Sequence, residues 1–145
     1  MKRKKQTQEL SYYGLLLLSY LRESHPGKMN DTEFISIRAH KAAESYSDAI
    51  KAGYSPVMAE EIASGILYEG LLFSKYDTIR NILWNEYPMI AEKEADKLAL
   101  KLLSPSEEVF SEYHLTDEFA SSPEYTLLYT ELTGFIDVWR DEHGL

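Results

Sequence analysis

The chain has 145 residues, of which 44% are hydrophobic and 27% charged, with 7 glycines, 5 prolines and no cysteine. This composition excludes collagen-like, disulfide-stapled and wholly disordered chains. A chain of this length buries about 68–70% of its unfolded surface, so its core needs no metal or disulfide. The sequence predicts one domain that folds unaided.

The charge is unevenly distributed along the chain. Residues 2–5 (KRKK) hold four of the 15 basic residues, so the remainder carries 11 basic against 24 acidic side chains, a net charge of −13. After Leu102 the only basic side chain is Arg140. We therefore predict a mobile basic tail at residues 1–6 and a single acidic domain at 7–145. An acidic domain disfavours direct nucleic-acid binding, which normally needs a basic face.

The apolar stretch after the basic start, residues 10–21, has the order of a secretory signal but lacks its other features. The acidic Glu9 lies between the basic residues and the apolar stretch, and no small-residue cleavage site follows the stretch. A stretch of about a dozen residues is also shorter than the roughly 20 that span a bilayer. We expect a cytoplasmic protein without a membrane segment.

The spacing of apolar residues predicts seven helices and no strand. The first three run from about Gln8 to Ser24, from a cap at Asn30 or Asp31 to about Ala52, and from Ser55 to a break near Gly70. The others are a fourth helix from Ser74 to Pro88, a fifth over 91–103, a short sixth at 109–113 and a last one from Pro123 to His143, with loop predicted at 114–121. The fold class is all-α, a single-domain bundle of about six or seven helices.

Three Ser-Pro pairs are predicted to start helices. Ser55-Pro56, Ser104-Pro105 and Ser122-Pro123 each place a capping hydroxyl before a proline at the first helical position. Glu107 would complete a capping box with Ser104.

The chain carries no sequence signature of a known catalytic, metal or cofactor site, so we predict none. There is no Glu-x-x-His pair, no His-Glu-x-x-His and no dinucleotide or nucleophile motif. Gly65 and Gly70 have the spacing of a phosphate loop, but the Lys and Ser/Thr that must follow are absent. His40 and Glu44 lie one turn apart and are interpreted as a surface pair.

Two groups of residues remain as candidate functional surfaces. The fourth helix carries a polar stripe that an unrecognised active site would use, formed by Asp77, Asn81, Trp84, Asn85 and Glu86 beside Arg80. The last third carries an acidic group with no basic neighbour in sequence, formed by Glu107, Glu108, Glu112, Asp117, Glu118 and Glu124. The 11 tyrosines suit either an interface or buried rings whose hydroxyls reach the surface.

Five stretches resemble the signature stretches of a family of short uncharacterised bacterial proteins, a domain of unknown function. They are ELSY at 9–12, LRESHP at 21–26, FSKYDT at 73–78, LWNE at 83–86 and YTELTG at 129–134. The resemblance covers essentially the whole chain. It implies an all-helical single domain and frequent residence near conjugative mobile elements, and it implies no activity or cofactor.

The residues favour a non-enzymatic interaction or accessory protein. Its acidic, tyrosine-bearing surface would bind a protein partner whose identity the sequence leaves open. An enzyme using the polar stripe of the fourth helix is the alternative.

Overall fold

The computed structural model describes residues 11–145, and the predicted basic tail at 1–6 lies outside them. Residue contacts divide the chain into two compact units, one ending at Glu69 and the other comprising Gly70–Leu145. Between residues 11 and 145 there are seven α-helices, two short 3₁₀ helices and no strand. The all-α prediction is confirmed.

The first unit contains three α-helices. They are α1 (Tyr12–Ser24), α2 (Thr32–Lys51) and α3 (Pro56–Leu67), with a 3₁₀ turn at Pro26–Lys28. Helix α2 packs against both α1 and α3. Leu17 and Leu21 are fully buried, and α2 buries three alanines, Ala39, Ala42 and Ala49. Small side chains at such a contact let two helices approach closely.

Three side chains cap the helices of this unit. Ser11 has extended backbone and accepts a hydrogen bond from the Gly14 amide at 3.0 Å, so α1 begins at Tyr12; the predicted start at about Gln8 lies outside the described residues. Asp31 caps α2, and Ser55 caps α3 by accepting from the Met58 amide at 3.2 Å. Gly53, at φ +100°, allows the turn between α2 and α3.

Arg38 joins α2 to the end of α3. Its Nη1 donates to the carbonyl oxygens of Ile66, Leu67 and Glu69 at 3.3, 3.1 and 2.8 Å. The last carbonyls of a helix have no partner within the helix and carry partial negative charge. The guanidinium therefore replaces the missing hydrogen bonds and stabilises the end of α3.

The second unit contains four α-helices: α4 (Lys75–Glu86), α5 (Glu92–Leu102), α6 (Glu107–Phe110) and α7 (Glu124–Glu142). Helix α4 packs against α5 and α7, and α6 packs against α7. The core of this unit combines Ile79, Ile82 and Leu83 from α4 with the predicted apolar positions of α7, of which Leu128, Leu132 and Ile136 are fully buried. Most of the candidate functional residues lie on these helices, so the packing of the helices fixes where those residues are.

The predicted loop at 114–121 contains part of the core. Phe119 begins a 3₁₀ turn that ends at Ser121, and its side chain is 2% exposed. Its ring lies edge-on to those of Phe73 and Tyr113, with centroids 5.3 and 5.9 Å away. An isolated aromatic residue in a polar stretch shows no periodicity, so its burial depends on residues distant in sequence.

Two of the three Ser-Pro predictions are wrong. Helix α6 begins at Glu107 after a turn at 103–106, so Ser104 is not its cap and the capping box does not form. Before α7, the hydroxyl of Ser122 donates to the carbonyl of Phe119 at 2.7 Å and makes no cap hydrogen bond. Ser104 lies within a turn, whereas Ser122 has extended backbone at φ −87° and ψ 158° but directs its hydroxyl to Phe119.

Candidate functional site

The six residues of the predicted acidic group do not act as one set. Glu108, Glu112, Glu118 and Glu124 are exposed. Glu107 lies 2.5 Å from the Lys75 ammonium of α4, a basic residue that is 32 positions away in sequence. The acidic group has no basic neighbour in sequence, but the fold brings Lys75 next to Glu107.

Asp117 has a structural partner of a different kind. Its Oδ2 accepts from the Gly70 amide at 2.8 Å and its Oδ1 from the Leu72 amide at 3.1 Å. Both carboxylate oxygens therefore hold the backbone that leads into α4. The side chain itself is half-buried.

Tyr113 lies near three carboxylates, those of Glu112, Glu124 and Glu131. It is half-buried, and its hydroxyl donates to Glu131 Oε1 at 2.6 Å. The hydrogen bond to Glu131, followed by burial and the nearby charges of Glu131, Glu112 and Glu124, raises the pKa of Tyr113 to about 12. We call the exposed residues Glu108, Glu112, Glu118 and Glu124 together with Tyr113 and Glu131 the acidic face.

Glu131 was missed in the sequence. It lies on α7, 18 residues from Tyr113, and stands seven positions after Glu124. Residues seven apart occupy the same side of a helix. The seven-residue spacing in the sequence therefore indicates that Glu124 and Glu131 share a face of α7.

The predicted polar stripe of α4 separates into two groups. In the first, Asp77 pairs with Arg80 at 2.9 Å, and the Arg80 guanidinium lies 4.9 Å from the ring centroids of both Tyr76 and Trp84. Trp84 is 40% exposed, and Asn81 is exposed. This arrangement is a charge pair stacked on aromatic rings.

The second group of the stripe converges on α7. Asn85 Nδ2 donates to the Tyr129 hydroxyl at 3.3 Å, and that hydroxyl donates to Glu86 Oε2 at 2.9 Å. Burial of the ring, together with this bond to Glu86, raises the pKa of Tyr129. A phenol with a raised pKa is a weaker acid, so Tyr129 keeps its proton and joins α4 to α7 as a hydrogen-bond donor.

Two further tyrosines follow the same pattern of a buried ring and a carboxylate acceptor. Tyr13 of α1 donates to Glu60 of α3 at 3.0 Å, and Tyr87 donates to Asp137 of α7. Tyr12 and Tyr54, by contrast, are 64% and 48% exposed. Much of the tyrosine content thus serves packing, the second of the two interpretations offered by the sequence.

The predicted surface pair of His40 and Glu44 is confirmed, with 3.4 Å between the two side chains and both exposed. Within residues 11–145, no three or more acidic or histidine side chains come close enough to hold a metal ion. No helix in this part of the chain has the length and apolar character needed to cross a membrane.

Comparison with known proteins gives matches of fold and family. A crystal structure of protein PG0816 from Porphyromonas gingivalis is 39% identical in sequence and superposes with a TM-score of 0.87, covering 97% of this chain and 96% of that one. Among curated proteins the search finds no match. The family model described as a domain of unknown function, DUF1896, matches residues 5–145. The chain therefore belongs to the DUF1896 family.

Proposed function

We propose that the protein is a non-enzymatic interaction protein of the cytoplasm, which binds a basic protein partner through the acidic face. The observation that carries this proposal is the set of four exposed glutamates of the acidic face, of which Glu112 and Glu124, with Glu131, lie near Tyr113. These carboxylates are free to meet a partner, whereas Glu107 and Asp117 are engaged within the fold.

The surrounding sequence supplies almost no positive charge to neutralise this face. Arg140 is the only basic residue after Leu102, and its guanidinium lies over the Tyr87 ring at 4.7 Å. A surface of one sign accelerates the encounter with a partner of opposite sign, and salt screens the attraction beyond about 8 Å at physiological ionic strength. The association should therefore weaken as salt is added.

Tyr113 provides the apolar and directional part of the surface. Its ring is half-buried, and the bond to Glu131 fixes the orientation of its hydroxyl. Tyrosine is enriched at interfaces because it offers contact area at little cost in conformational entropy. A fixed tyrosine surrounded by carboxylates suits a basic segment that also contains apolar side chains.

The polar stripe of α4 gives less support to an enzyme. Asp77 is paired with Arg80, and Asn85 and Glu86 share the hydroxyl of Tyr129. Asp77, Asn85 and Glu86 thus already have partners among neighbouring side chains.

The proposal is tested in two steps. A partner captured from the organism that encodes the protein is first identified and purified, and its affinity is then measured by calorimetry at low and high salt. The variant Glu108→Gln, Glu112→Gln, Glu118→Gln and Glu124→Gln should lose most of the affinity, because it removes four charges while keeping the size of each side chain.

A matched control removes four charges from exposed acids of the first unit, by Glu23→Gln, Asp48→Asn, Glu61→Gln and Glu69→Gln. This control should bind as the parent does. If both variants lose affinity equally, net charge and not the acidic face controls binding. Unchanged affinity of the first variant, or affinity that does not respond to salt, excludes the proposal.

A further inference from the structure

A groove in the second unit combines apolar walls with positive charge. It has a volume of about 370 Å³ and is lined by Ile90, Leu98 and Leu145 together with Glu94, Lys97, Lys101 and Arg140. Small-molecule sites fall in a range of about 300–1,000 Å³ and are mainly apolar with a few polar groups. The groove matches this description in both size and lining.

Helix α5 forms one wall through a single stripe. Glu94, Lys97, Leu98 and Lys101 occupy positions i, i+3, i+4 and i+7, so all four point to the same side of the helix. The adjacent side of α5 buries Ala95, Ala99 and Leu102 in the core. The stripe is therefore held in position by the packing of the helix.

The charge of the groove contrasts with that of the chain, whose net charge is −9. Glu94 forms an ion pair with Lys97 at 3.8 Å, which neutralises one of the three cations. Lys101 and Arg140 make no ion pair with any carboxylate of residues 11–145. The side chains that line the groove thus carry a net charge of +2, from Lys97, Lys101 and Arg140 against Glu94, beside apolar side chains.

Arg140 is oriented before any ligand arrives. It lies in the last turn of α7, and its guanidinium stacks on Tyr87, whose hydroxyl donates to Asp137 one turn earlier on the same helix. A planar guanidinium that is already fixed loses less entropy when it binds an acidic group. Leu145 follows the same helix end and contributes apolar surface.

We propose that this groove binds a small organic anion with an apolar body. Its acidic head would be held by Lys101 and Arg140, and its apolar part would lie against Ile90 and Leu98. An ordinary solvated helix face would explain the lysines, but it would explain neither the concavity nor the oriented arginine. The site shares no residue with the acidic face, so it is independent of the proposed protein partner.

The test uses calorimetry on the full chain at low ionic strength with four probes: octanoate, octyl phosphate, octanol and inorganic phosphate. We expect octanoate or octyl phosphate to bind more tightly than octanol and inorganic phosphate. Tighter binding of octanoate identifies a carboxylate as the preferred head, and tighter binding of octyl phosphate identifies a phosphate ester. Failure of both to bind, or equal binding of octanol or of inorganic phosphate, overturns the proposal.

Variants of α5 locate the site. Lys101→Gln should weaken binding of the preferred probe about tenfold, the effect of losing one charge-assisted hydrogen bond. Lys93→Gln is the matched control, since Lys93 is an exposed lysine of the same helix that does not line the groove. Amide chemical shifts should change at Leu98 and Lys101 on titration of the parent. Equal affinities of the two variants, or shift changes confined to other helices, exclude this groove as the site.

Discussion

Tyrosine hydroxyls joined to carboxylates recur in both units of this fold. Tyr13, Tyr87, Tyr113 and Tyr129 each donate to a carboxylate, and the pairs are separated by 18 to 50 positions along the chain. The sequence shows the abundance of tyrosine and of acid. It does not show which acid meets which phenol, because that choice depends on how the helices pack.

These tyrosine–carboxylate pairs predict how the stability of the protein changes at alkaline pH. Burial, and then the bond to Glu60, raises the pKa of Tyr13 from 10.0 to about 12, and burial followed by the bond to Asp137 raises that of Tyr87 also. The unfolded phenol ionises near pH 10 while the folded one keeps its proton. The stabilisation is therefore complete below pH 10 and is lost as the pH rises from 10 towards 12.

Urea denaturation at a series of pH values tests whether stability falls at alkaline pH. The free energy of unfolding should fall above pH 10, and it should fall less steeply for Tyr13→Phe, which has no proton to lose. Tyr54→Phe removes a hydroxyl from an exposed ring and should give the slope of the parent. A stability that rises above pH 10 would contradict the structure.

Asp117 illustrates a candidate residue whose role is structural. Asp117→Asn replaces one of two acceptor oxygens by an amide group that faces a backbone N–H, so we expect a loss of about 1–3 kcal/mol in the free energy of unfolding. Exchange of the Gly70 and Leu72 amide hydrogens should accelerate as well. Glu118→Gln, at the exposed neighbour, should change neither measurement. Slow amide exchange in Asp117→Asn would show that these hydrogen bonds are not important.

At the scale of elements, apolar periodicity predicts all seven helices, while their starts depend on local geometry. Long amphipathic stretches such as α7 show many buried positions at helical spacing, and these agree with the structure. A Ser-Pro pair supplies a capping hydroxyl, but a cap also needs extended backbone at the serine. Ser55 has it, with φ −69° and ψ 159°, whereas a turn at 103–106 occupies the corresponding place near Ser104.

Two matched substitutions test this distinction. Ser55→Ala removes the acceptor for the Met58 amide and should cost about 1 kcal/mol of stability. Ser104→Ala, in the same Ser-Pro context, should change stability by less than about 0.5 kcal/mol, because its hydroxyl caps no helix. Chemical denaturation of both variants provides the measurement. Equal losses of stability in the two variants would show that Ser104 also acts as a helix cap.

At the scale of the whole molecule, the helical content is the most direct observable. Helical residues make up 72% of the described chain, about twice the roughly one-third found in average soluble domains. Circular dichroism of the purified protein should therefore give a strongly helical spectrum with no strand contribution. A helix content near the average would contradict the fold.

The sequence by itself determined the fold class, the positions of the seven helices and the excess of acid in the last third, because periodicity and charge are local properties that the order of residues displays. Tertiary structure alone decided the role of each candidate residue. It placed Lys75 beside Glu107, engaged Asp117 with two amides, buried Phe119 and brought Lys101 and Arg140 to one groove. These contacts join residues on different elements, so their existence depends on the packing of helices and leaves no periodic signal in the sequence.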